Sequence, residues 1–207
     1  MASTAAPYGF RAVNELGGLP YAGSTRQFLI DPAGYNTNIF NGSIVAINTS
    51  GYLNIVTTNG DNSTPFPAGT IGVFVGCSYT NAQGQIIYSQ YYPANTASVN
   101  GSAITAYVID DDRAVFQVQS AGTVTQAALG ANVYLNAVQS TSTGSTTTGN
   151  SNTAVVAGSS AATTSGYAFR VVGFANVPGF STVGDAYTDI LVKFNPGAHS
   201  YSNATGI

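Results

Sequence analysis

Residues 104–119 read ITAYVIDDDRAVFQVQ, and the alternation in this stretch decides the fold class. Ile104, Ala106 and Val108 fall on one face of an extended chain and Thr105, Tyr107 and Ile109 on the other. Beyond the break, Ala114, Phe116 and Val118 alternate with Val115, Gln117 and Gln119. A period of two marks a strand with one face toward a core. Asp110, Asp111, Asp112 and Arg113 cannot join an apolar ladder, and Asp side chains cap their own backbone in turns. The stretch reads as a hairpin with an acidic tip, which holds three of the eight acidic residues in the chain.

Working outward, further strands are marked by alternation or short apolar runs in QFLI (27–30), SIVAI (43–47), YLNIV (52–56) and GTIGVFVG (69–76). The series continues through QIIYSQYYP (85–93), VYLNAV (133–138), YAFRVVGF (167–174) and DILVKF (189–194). In GTIGVFVG, Ile71, Val73 and Val75 are expected on one face, while Gly72 and Gly76 let neighbouring backbone approach. Pro65 and Pro67 make 59–69 a loop, and 125–129 is the one place for a single helical turn. About ten short strands separated by turn residues predict an all-β barrel or sandwich. The expected organisation is an extended N-terminal arm (1–24), a single β domain (25–196) and a tail (197–207). Within the domain, 139–166 is rich in Ser, Thr and Gly and reads as an exposed loop or loosely held hairpin.

Only 6% of the 207 residues are charged, against roughly 25% in an average globular protein. Net charge is −3, and the five basic residues, Arg11, Arg26, Arg113, Arg170 and Lys193, are scattered. Without a basic footprint, nucleic acid is not an expected partner. The surface must be built from Ser, Thr, Asn, Gln, Tyr and Gly, which suits close packing against other subunits. Residues 1–10 contain neither a basic n-region nor an apolar h-region, and no run approaches a membrane span, so neither secretion nor a membrane partner is expected. Five Asn-x-Ser/Thr triplets, beginning at Asn41, Asn48, Asn62, Asn100 and Asn203, are what this composition generates by itself.

Chemistry finds little purchase. His199, the one histidine, lies beyond the last strand and is expected to be exposed. Cys77 sits in an apolar run with no basic neighbour in sequence to activate it. No G-x-S-x-G elbow, Walker pattern or G-x-G-x-x-G stretch occurs. Asp110, Asp111 and Asp112 lack the spacing of a dedicated calcium loop and read as a solvated turn. The expectation is a protein that is not an enzyme, with no catalytic residue, cofactor or metal.

Aromatic residues remain. Tyr88, Tyr91 and Tyr92 form a cluster suited to stacking on sugars or anchoring an interface. Tyr8, Phe10, Leu16, Leu19 and Tyr21 lie in a segment too apolar for a solvated tail and without the period to build its own core. That segment either wraps its own domain or lies on a partner.

The order of several stretches adds to this: GFRAVNELGGLPYAGSTRQFLI, IFNGSIVAI, GTIGVFVGCSYTNAQGQIIYSQYYPANT, AYVIDDDRAVFQVQ, GANVYL, YAFRVVGFANVPG and DAYTDILVKFNPG. In this succession, over residues 9–197, the chain resembles the capsid cement (head decoration) proteins of tailed phages. The resemblance implies a structural virion protein on the outer surface of an icosahedral head, assembled in the host cytoplasm. Its expected partners are the major capsid protein, whose adjacent subunits it would clamp, and itself, as a homotrimer with a dimer as the alternative. On that reading Tyr8, Phe10, Leu16, Leu19, Tyr21, Tyr91 and Tyr92 are the interface candidates. The alternative is a carbohydrate- or receptor-binding β module on a virion surface, using the tyrosine cluster.

Overall fold

The computed structural model describes residues 3–207, and its elements are strands joined by turns. They are β1 (Arg11–Glu15), β2 (Arg26–Ile30), β3 (Ile39–Phe40), β4 (Ile44–Ile47), β5 (Leu53–Ile55) and β6 (Thr70–Thr80). There follow β7 (Ile86–Ser89), β8 (Tyr91–Tyr92), β9 (Ile104–Ile109), β10 (Ala114–Gln119), β11 (Asn132–Val133), β12 (Phe169–Phe174) and β13 (Asp189–Phe194). The expected helical turn is present as one turn of 3-10 helix at Gln126–Ala128, but it is not the one such turn: Gly158–Ser160 and Ser200–Ser202 form two more. The fold is all-β. One sheet has the order β1-β10-β13-β12-β11, a second the order β2-β9-β6-β4-β5 with β7 also on β6, and β3 pairs with β8. All strand pairs within the sheets are antiparallel.

The strands expected on either side of the acidic turn are where the alternation puts them, yet they do not form a hairpin. β9 lies between β2 and β6, whereas β10 lies between β1 and β13. Asp110–Arg113 therefore carries the chain from one sheet to the other. Val108 and Ile109 are both buried, as are Ala114, Val115 and Phe116, so the chain beside the turn is covered on both faces, and each strand takes its hydrogen bonds from a different sheet.

Two apolar cores result. Phe10, Phe116, Val118, Phe169, Ile190, Val192 and Phe194 fill the space between the two large sheets, joined by Ile44, Ala46 and Val73. Ile30, Ile39, Val45, Leu53, Ile71, Phe74, Tyr92, Ile104 and Val108 fill the other. β4 and β6 contribute to both, so they are buried on both faces, which explains their nearly unbroken apolar sequence. The expectation that Ile71 and Val73 share a face fails at a bulge. Val45 pairs with Gly72 but Ala46 with Thr70, so Ile71 is an extra residue in β6. Gly72 has φ 145°, and a Cβ there would stand 1.9 Å from the Ile109 carbonyl oxygen, which reserves the position for glycine.

Three expectations about the periphery need correction. Met1 and Ala2 lie outside the described residues; the rest of the presumed arm belongs to the domain. β1 pairs with β10, and Phe10 stacks on Phe169 at 4.9 Å between ring centres. Ala6 donates its backbone N–H to Gln119 Oε1 at 2.8 Å, and Gln119 Nε2 donates to the Thr4 carbonyl at 3.1 Å. The segment 139–166 is not loosely held either. Gln139, Ser151, Thr153, Val155 and Val156 are buried, and the Gln139 amide accepts from Ile44 N while donating to the Ile44 and Val56 carbonyls at 2.9–3.0 Å. One side chain thus supplies the partners that a ladder strand would. Finally, the tail folds back, and His199 is 1% exposed where an exposed histidine was expected.

Candidate functional site

The seven interface candidates separate into different environments. Phe10 and Tyr92 are taken up by their own cores, which corrects their assignment to a partner surface. The Tyr92 hydroxyl is engaged as well, donating to the Thr96 carbonyl at 2.8 Å and accepting from Tyr35 N at 2.9 Å. Tyr91, one residue earlier and therefore on the opposite side of the strand, is half-buried and stacks on Phe40 at 5.5 Å. Tyr8 is half-buried beneath Arg11, whose guanidinium carbon is 5.3 Å from the ring centre. Burial first and the Asp189 charge second raise the Tyr8 hydroxyl well above the usual tyrosine range. Tyr21 donates to the Ser24 carbonyl, and burial, then Asp111, Asp110 and Glu15, push its hydroxyl up to about 12.

Leu16 and Leu19 stand out in solvent, Leu19 at 60% exposure. They flank a turn made by Gly17 and Gly18, with φ 110° and 82°, closed by Glu15 N donating to the Leu19 carbonyl at 2.7 Å. Leu16 N donates to the Arg113 carbonyl at 2.8 Å, which fixes this tip beside the acidic turn.

A second apolar tip escaped sequence reasoning. Val177 N donates to the Ser181 carbonyl at 2.8 Å and Phe180 N to the Val177 carbonyl at 2.9 Å, a tight turn through Gly179 at φ 87°. It presents Phe180 at 77% exposure. The signal was there: Pro178-Gly179 is a turn dipeptide followed at once by a phenylalanine.

The two tips lie at opposite ends of the first sheet. Leu16 follows the β1 residue that faces Ala114, the first residue of β10, whereas the turn bearing Phe180 precedes Asp189, which faces Gln119, the last. Six strand residues span about 20 Å.

The acidic turn itself is latched. Arg26 Nη1 lies 3.0 Å from Asp110 Oδ2, the one ion pair among the described residues. Ser202 Oγ donates to Asp112 Oδ2 at 3.0 Å. His199 packs edge-on against Phe194 and Tyr201. Burial lowers its proton affinity, while Asp112, Asp110 and Asp111 pull in the opposite direction. Burial pushes the Cys77 thiol up to about 12. Among the described residues no three His, Cys, Asp or Glu side chains are grouped to hold a metal ion, and no helix is long and apolar enough to cross a membrane. Comparison of the chain with protein-family models, with curated proteins and with solved structures returned no match.

Proposed function

We propose that this protein decorates the outside of an icosahedral phage head and clamps adjacent major capsid subunits. The observation that carries this reading is the pair of exposed apolar tips, Leu16 with Leu19 and Val177 with Phe180, at opposite ends of one sheet. Burying each such side chain against a partner is worth about 1.5–3 kcal/mol. Two attachment points on one rigid body make the second contact intramolecular, so a molecule bridging two subunits holds both more tightly than either contact alone. The order of sequence stretches over residues 9–197 supports the same reading. A polar surface with few charges lets copies of the protein approach each other, in keeping with a homotrimer.

The test is reconstitution on heads stripped of the protein. The wild type should raise the temperature at which heads rupture. Leu16→Ser with Leu19→Ser, or Phe180→Ser, should leave one working tip, hence weaker attachment and no gain in rupture temperature. Heads equally robust with and without the protein would overturn the reading.

A further inference from the structure

The outer face of the second sheet carries an arrangement used by neither core nor tip. On β9, Thr105 and Tyr107 point outward; Thr105 pairs with Leu29 of β2 and Ser78 of β6, and Tyr107 with Gln27 and Gly76. Ser78 in turn pairs with Tyr88 of β7. Tyr88 is 75% exposed, and among the described residues no other aromatic ring packs on it. Tyr107 is half-buried, and its hydroxyl lies 3.2 Å from Ser78 Oγ. Gly76, at φ 155°, pairs with Tyr107, and a Cβ there would stand 3.0 Å from the Ser89 carbonyl oxygen. A shallow groove of about 270 Å³ opens there, lined by Tyr88, Tyr107, Gly76, Ser89 and Gln90.

We propose that this groove binds one ring of a neutral saccharide. The C–H face of a sugar packs on an exposed aromatic ring such as Tyr88, and its hydroxyls need groups that both donate and accept. Tyr107 OH, held beside Ser78 Oγ, and the Gln90 amide are such groups. The charge pattern narrows the choice. No charged side chain lines the groove, and Arg26, the one cation on these strands, is turned to Asp110. An anionic ligand would find no counter-charge, and a purely apolar one would leave the hydroxyl and amide groups unpaired. The strands flanking β6 stand about 9.5 Å apart, a width suited to a single ring. A second copy of the chain would need about 800 Å² of continuous contact on each side. The site is independent of the apolar tips, so it stands or falls separately from head binding.

The experiment titrates the isolated protein with maltohexaose, cellohexaose, laminarihexaose and mannohexaose, and with a heparin hexasaccharide as the anionic control, by calorimetry and saturation-transfer NMR. At least one neutral hexasaccharide should bind with Kd of about 0.1–1 mM. Tyr88→Ala should weaken it at least about tenfold, the loss expected for one stacking ring. Tyr107→Phe should weaken it by a smaller factor and Phe180→Ser should leave it unchanged. Three outcomes overturn the proposal: no neutral saccharide binding up to about 10 mM, tenfold above the weakest expected Kd; binding that survives Tyr88→Ala; or an effect of Tyr88→Ala confined to the sedimentation coefficient, which makes the face a contact between copies.

Discussion

The Tyr201 hydroxyl donates to Asp110 Oδ2 at 2.9 Å, so the C-terminal segment holds the turn by which the chain passes between sheets. Asp110 receives Arg26 on the same oxygen, and the Arg26 guanidinium carbon also lies 5.5 Å from the Tyr201 ring centre. A hydrogen bond to a charged group contributes about 1.5–3 kcal/mol, and the half-exposure of Tyr201 places this one at the lower end. Tyr201→Phe should lower the melting temperature by about 2–4 °C for each kcal/mol lost. Arg26→Met should cost less than about 1 kcal/mol, because Arg26 is largely in solvent. Thermal melts of both variants check the ranking.

Phe10 should be among the costliest positions to truncate. It meets Phe169 and Phe116 in the first core, and a buried Phe→Ala change costs about 3–5 kcal/mol. Leu16→Ser and Leu19→Ser should each stay within about 0.5 kcal/mol, as exposed positions do. Urea unfolding separates these values, and removal of residues 1–24 should abolish folding instead of releasing a free arm.

Acid should weaken the fold through His199. Its folded proton affinity is lowered by burial from the ordinary 6.5, so the unfolded chain takes up the proton first. The stabilisation is fully present above about pH 6.5 and is lost as pH falls through the folded value. Melting temperatures should decline below that point in the wild type and stay flatter in His199→Gln. Asp189, raised by burial from 3.8, works in the opposite sense at more acid pH. An identical slope in both proteins would remove His199 from this account.

Cys77 should be inert to iodoacetamide in the native protein at about pH 8, since the thiolate is the reacting form and burial holds the thiol near 12. In urea it should react at the rate of a free thiol. Mass spectrometry of the alkylated chain reads both.

Strand positions were legible because alternation is local: β2, β4, β5, β9, β10, β12 and β13 lie within a residue or two of the apolar runs that mark them. Pairing was not, since four turn residues serve a hairpin and a crossing between sheets equally well. The difference lies in what covers Ile109 and Ala114, which no local period records. The tyrosine cluster came apart for a related reason. Tyr91 and Tyr92 are neighbours in sequence and therefore opposite in facing, so one stacks on Phe40 and the other enters a core. The order within 139–166 was hidden because it rests on Gln139 hydrogen-bonding to Ile44 and Val56, about ninety residues away. Polar composition looks the same whether its partners are protein or water.

β6 is a wall common to both cores, and this bears on how the molecule comes apart. Neither half can open without stripping cover from the strand that the other half needs, so the two should melt in a single transition despite their separate side chains. Amide protons of the paired β6 residues Gly72, Val73, Phe74, Gly76 and Cys77 should then exchange with deuterium only through unfolding of the whole chain, while those of β7, held on one side alone, exchange by local opening.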